Sequence, residues 1–129
     1  PNLFENLTSL KEIKMNLNRL ESLNLSLDNL KELHLSNNFF LKSLTLSRKT
    51  PIELLNIENN QNIEQIKLNM SFLKYLYCQN ITENAIDQLF IQNFGDLMLI
   101  ELNGYFNSHS YNFNEKIFKK IASLSNLIN

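Results

Sequence analysis

The residues that usually reverse a chain are scarce here, with two glycines and two prolines among 129 residues. Sandwiches and barrels built on many tight turns draw heavily on both, so those folds are disfavoured. Something other than glycine must turn this chain. With one cysteine, Cys78, an intrachain disulfide is excluded and a reducing compartment is favoured. No apolar run approaches the roughly 18 residues of a membrane span, and no signal-peptide pattern opens the sequence. The expected setting is therefore cytoplasmic, with no membrane partner. Neither sign of charge dominates: 12 Lys/Arg against 13 Asp/Glu leave a net charge of −1, which gives no electrostatic case for nucleic acid. The charge is uneven all the same. Residues 1–50 carry seven basic and five acidic side chains, residues 51–110 two and seven, and the remainder three and one. The acidic middle reads as solvated surface. No phosphate loop, dinucleotide fingerprint, paired-carboxylate signature or nucleophile–histidine arrangement occurs. Neither His34 nor His109 has a partner at metal-ligand spacing along the chain. The expectation is a protein that is not an enzyme and takes no cofactor, metal or small-molecule ligand.

What the sequence does contain is a repeat. LKEIKM from Leu10, LKELHL from Leu30, IELLNI from Ile52, LKYLYC from Leu73 and LMLIEL from Leu97 are each apolar at the first, fourth and sixth places. Their first places lie 20, 22, 21 and 24 residues apart. A second set sits about midway between them: LESLNL from Leu20, LKSLTL from Leu41 and IEQIKL from Ile63. Two extended segments per turn of a coil account for both. Coils of this kind cannot bury their apolar columns alone, so each leucine set must pack on those of its neighbours.

These residues resemble the leucine-rich-repeat family, whose pattern L-x-x-L-x-L-x-x-N sets an asparagine eight places after the first leucine and whose period lies between 20 and 29 residues. The opening PNLFENLTSLKEIKMNLN is similar to the typical repeat. LKELHLSNNFFLKSLTLSRKTPIELLNIENN resembles the short repeats of bacterial proteins, and LKYLYCQNITENAIDQLF resembles the cysteine-containing repeats of F-box substrate receptors. In the first set Asn18, Asn38 and Asn60 stand at the asparagine place; the second set has Asp28, Lys49 and Ser71 there. An amide at that place can bond backbone groups of neighbouring coils and form a ladder, so the first set is assigned to the concave sheet and the second to extended return segments. Asn80 falls one place short, and Tyr105 replaces the amide in the next coil.

The resulting expectation is an α/β fold. It is a right-handed leucine-rich-repeat solenoid with a parallel concave sheet, extended return segments in the first half and helices in the second. Residues 1–129 form one segment of a longer protein, with short β-rich coils over 1–80 and β/α coils over 81–129. Strands are expected near 12–16, 32–36, 54–58, 75–79 and 99–103, with Phe4 and Leu7 pointing inward ahead of them. Thr82 is expected to cap a helix over about 83–93 that Phe94–Gly95 ends, and Asn114 a second helix, after a polar aromatic loop over 104–113. Leu127 is expected to begin a further strand.

Side chains between core positions face outward from a strand. Three columns follow: Glu12, Glu32, Leu54, Tyr75, Leu99; Lys14, His34, Asn56, Tyr77, Glu101; and Asn16, Ser36, Glu58, Gln79, Asn103. Leu54, Tyr75, Tyr77, Leu99, Glu101 and His34 are the candidate partner-binding residues, since exposed aromatic groups are enriched at interfaces. Cys78 takes an inward place and is expected to pack as a small hydrophobe. The resemblance implies a non-catalytic interaction module, the recognition arm of a substrate receptor, bacterial effector or immune sensor, whose partner is another protein or another domain of the same one. A structural or adhesion array that spaces other domains is the alternative.

Overall fold

The computed structural model describes residues 4, 6–90, 99–101 and 119. Each apolar set becomes a row of short strands. The first set forms β1 (Glu12–Lys14), β3 (Glu32–His34), β5 (Leu54–Asn56), β7 (Tyr75–Tyr77) and β8 (Leu99–Glu101), and the second forms β2 (Ser22–Leu25), β4 (Ser43–Leu46) and β6 (Gln65–Lys67). Every pairing is parallel, giving a five-stranded sheet in the order β1-β3-β5-β7-β8 and a three-stranded sheet in the order β2-β4-β6. From β1 to β7, alternate strands along the chain go to alternate sheets, so the chain winds as a β-solenoid with few helices.

The return segments are thus more than extended connections. They make a sheet of their own, with Leu23, Leu44 and Ile66 in register as inward neighbours. Their apolar alternation already fitted a strand; what the spacing alone left open was the bonding between them. Leu33 pairs with Ile13 and Leu55, and Leu55 with Leu76. These residues, apart from a nearly buried Ile13, are fully buried in one aliphatic cluster shared by both sheets. Fully burying one such side chain is worth about 1.5–3 kcal/mol.

Strands of the larger sheet are three residues long rather than the expected five, yet ladder bonding continues beyond them. Met15 N donates to His34 O and Leu17 N to Ser36 O; Leu35 N bonds Asn56 O and Asn37 N bonds Glu58 O; Ile57 N bonds Tyr77 O and Asn59 N bonds Gln79 O. The chain then leaves the sheet through one residue in the left-handed region: Leu17, Asn37, Asn59 and Asn80, at φ of 58°, 61°, 59° and 52°. All four stand seven places after the first apolar residue of their set. Asparagine tolerates this conformation because its short polar side chain bonds locally. It does here what glycine does elsewhere.

Leu17 is the exception, a branched apolar residue that is 76% exposed in a conformation costing roughly 1–2 kcal/mol. Leu17→Asn is expected to raise stability by about 1 kcal/mol, read as a higher urea midpoint at unchanged slope. An unchanged or lower midpoint would contradict the assignment of backbone cost to this position.

After β7 the return strand gives way to helix α1 (Glu83–Phe90). Thr82 caps it, its Oγ1 accepting from Ala85 N at 3.1 Å while its carbonyl accepts from Ile86 N. Ala85, Ile86 and Leu89 are buried, as their helical spacing predicts. The edge of β6 is closed by the side chain of Gln88. Its Oε1 accepts from Ile66 N at 2.9 Å and its Nε2 donates to Glu64 O. One side-chain amide so stands where the next strand's backbone would be. Gln88→Ala keeps helix propensity but strands Ile66 N–H, while Glu64 O keeps the donor Asn84 Nδ2 at 3.2 Å. It is expected to cost about 1–2 kcal/mol, measured by chemical denaturation. A change within error would show that water serves Ile66 N–H equally well.

Phe4 packs against the core, but Leu7, expected inward, is 49% exposed. Leu7 lies in the turn whose Leu10 N bonds Leu7 O, and this turn directs it away from the cluster. The helix end at Phe94–Gly95, the 104–113 loop with His109, the helix from Asn114 and the strand from Leu127 lie outside the described residues.

Candidate functional site

The outward columns are set by strand alternation and parallel register. Glu12, Glu32, Leu54, Tyr75 and Leu99 are Cα partners in succession, and so are Lys14, His34, Asn56, Tyr77 and Glu101. For Leu99 and Glu101 the register is described; Asn103 lies outside the described residues. The face has two halves. On β5 and β7, Leu54 and Tyr77 are half-buried and Tyr75 is 36% exposed. Neighbouring strands stand about 4.8 Å apart, so these three side chains occupy one continuous apolar area.

The half on β1 and β3 is ionic. Lys14 Nζ meets Glu12 Oε1 at 3.0 Å, and His34 Nε2 lies 3.4 Å from both Glu12 Oε1 and Glu32 Oε2. The hydrogen bond from Lys14 chiefly holds the Glu12 carboxyl below the usual carboxylate range. His34, expected as a simply exposed strand residue, is in fact half-buried, with a side chain 20% exposed between two carboxylates. Spacing along the chain missed this group because Glu12 and His34 are brought together by the repeat period and not by local sequence. A second ionic row precedes the strands, where Glu53 Oε1 lies 3.8 Å from Lys31 Nζ and 3.7 Å from Lys74 Nζ. Exposed pairs of this kind contribute little to stability.

Beneath the face, at the exit from each strand, the asparagines form two ladders. In the inner one, Asn38 Nδ2 donates to Leu35 O of its own coil at 2.7 Å and to Met15 O of the preceding coil at 2.9 Å. Asn60 Nδ2 repeats this one coil later, to Ile57 O at 2.8 Å and Leu35 O at 2.9 Å. Both amides are fully buried. Asn18 differs: it is exposed, donates Nδ2 to Asn16 O, and gives its backbone N–H to Asn38 Oδ1 at 3.1 Å. The outer ladder runs through the left-handed residues, Asn59 Nδ2 to Asn37 Oδ1 at 3.0 Å and Asn80 Nδ2 to Asn59 Oδ1 at 2.7 Å. Asn80 is therefore no displaced inner rung. It is the next rung of the outer ladder, and the inner place in its coil is taken by the buried Ile81.

Cys78 is buried against the inner side of β7, and burial pushes its thiol far above the ordinary range. It is a poor nucleophile at neutral pH. Among the described residues, five large apolar residues are exposed away from the strand face: Leu7, Leu17, Phe39, Phe40 and Phe72. The sequence reading passed over the aromatic three because they fall outside both apolar columns. Phe40 and Phe72 each stand just before the first place of a set, in the turn that enters it.

No protein-family model, curated protein or solved structure matches this chain.

Proposed function

We propose that this chain is a leucine-rich-repeat segment acting as a non-catalytic protein-interaction module, with its partner held against the outward face of the five-stranded sheet. The carrying observation is the in-register apolar area of Leu54, Tyr75 and Tyr77 on two hydrogen-bonded strands. Rigid aromatic groups with a polar end give contact area at small entropic cost, which is why they recur at interfaces. Leu99 and Glu101 are the Cα partners of Tyr75 and Tyr77, and His34 stands in the register row of Tyr77 beyond Asn56. Three further features support the family reading: the 20–24-residue period, the buried amides that bridge successive coils, and two strands per coil. A right-handed winding, with the five-stranded sheet concave, belongs to the same proposal, because parallel crossovers are right-handed as a rule. The buried thiol fits a reducing, cytoplasmic setting. Among the described residues no helix is long and apolar enough to cross a membrane.

The test is recovery of a partner by the full chain and by the Tyr75→Ser/Tyr77→Ser variant, compared by affinity capture with quantified bound protein. Loss of the partner of about tenfold or more, with unchanged circular dichroism, is the expected result. Equal recovery by the variant removes the strand face from the interface.

A second reading rests on Phe39, Phe40 and Phe72, whose exposure in the turns suits contacts along the edge of the coil. There the chain is a structural or adhesion array that spaces other domains. Phe39→Ser/Phe40→Ser separates the two, since it spares the sheet face and weakens edge contacts alone.

A further inference from the structure

We propose that Glu12, Glu32 and His34 form a zinc-binding site on the ionic half of the sheet face. Three donor atoms converge there, all within 4.8 Å of one another: one imidazole nitrogen and two carboxylate oxygens. The two carboxylate–imidazole separations are both 3.4 Å. Zinc bonds of about 2.0–2.1 Å in a tetrahedral arrangement place neighbouring ligand atoms about 3.4 Å apart. Two of the three ligand separations thus match that edge, and the two carboxylates, within 4.8 Å of each other, close on the ion as it binds, leaving a fourth position for water.

An imidazole at the apex separates this group from an ordinary surface patch of acids. Register is the other distinguishing feature. Glu12 and Glu32 are Cα partners on adjacent parallel strands, and His34 follows Glu32 by two residues on the same face. All three donors are carried by backbone that hydrogen bonds already hold, so the ordering cost of assembling a site on loops is avoided. Two like charges side by side on neighbouring strands repel, and a divalent ion removes that repulsion. Imidazole with carboxylate oxygen suits zinc among the common divalent ions, while magnesium prefers six oxygen ligands. One competitor is visible. Lys14 Nζ holds the same Glu12 Oε1 that would ligate the ion, and this lysine is 62% exposed. Zinc must displace it, at the small cost of an exposed ion pair.

This competition gives the proposal a signed test. Zinc ion alone is titrated into the chain by calorimetry at pH 7.5. One ion per chain with a micromolar Kd is expected, and no comparable response to magnesium. Glu32→Gln and His34→Gln should each weaken binding by about tenfold or more. Lys14→Met should tighten it by about two- to fivefold, the equivalent of one exposed ion pair. His109→Gln should leave stoichiometry and affinity unchanged. If His34→Gln disturbs the fold by circular dichroism, Glu32→Gln and Lys14→Met carry the test. The proposal is overturned if wild type shows no zinc response, if magnesium binds equally, if His109→Gln abolishes binding, or if Lys14→Met weakens it.

Discussion

Removing both inner-ladder amides should cost more than the sum of the single removals. Asn38→Ala takes the donor from Met15 O and the acceptor from Asn18 N. Asn60→Ala takes the donor from Ile57 O, while Glu58 O, which Asn60 also serves, keeps its bond from Asn37 N. Each is expected to destabilise by about 2–4 kcal/mol, the range for leaving one or two buried backbone groups unserved. Leu35 O is different, because it accepts from Asn38 at 2.7 Å and from Asn60 at 2.9 Å. Either amide alone keeps it bonded; only the double variant orphans it inside the core. The double-mutant cycle should therefore show an extra loss of about 1–3 kcal/mol. Urea denaturation of the four proteins measures it. Against a total stability of about 5–15 kcal/mol for a domain, the double variant sits at the edge of folding. Strict additivity would mean that the shared acceptor does not couple the rungs. One feature limits the Asn60 single variant: its Oδ1 is buried with no hydrogen-bond partner, so alanine also relieves an unmet acceptor.

The spacing of leucines made the coil legible, since a 20–24-residue period with two apolar sets leaves few ways to bury both. It also fixed which side chains share a column, and the observed pairing of Glu12 with Glu32, Leu54 and Tyr75 follows from it. The turns were harder to read. Asn37, Asn38, Asn59 and Asn60 are adjacent pairs in which one residue turns the chain and the other bonds the core, and a spacing rule sees only the second. Asn80 looked misplaced for that reason. Gln88 was illegible because its role exists only where a helix abuts a strand edge. The Glu12–Glu32–His34 group required knowing which coils are neighbours before any local motif could be sought.

Leu55→Ala tests whether the coils are energetically coupled as a one-dimensional array. Leu55 is fully buried and lies between Leu33 and Leu76 in register. Truncation removes apolar contact and leaves a cavity, for a cost of about 2–5 kcal/mol. In a globular core that cost is shared by many neighbours at once. In a stack of coils the two flanking coils bear it, because each apolar row touches only the rows beside it. Hydrogen exchange should therefore quicken at the amides of β3 and β7 as well as β5. The effect should fade toward β1, whose contact with β5 runs through β3. The partner-binding area proposed on Leu54, Tyr75 and Tyr77 spans β5 and β7, so the same substitution should weaken capture of the partner without altering any residue on the face. Exchange that quickens in β5 alone would mean that each coil is stable by itself, and the rigid face on which the interaction proposal depends would lose its physical basis.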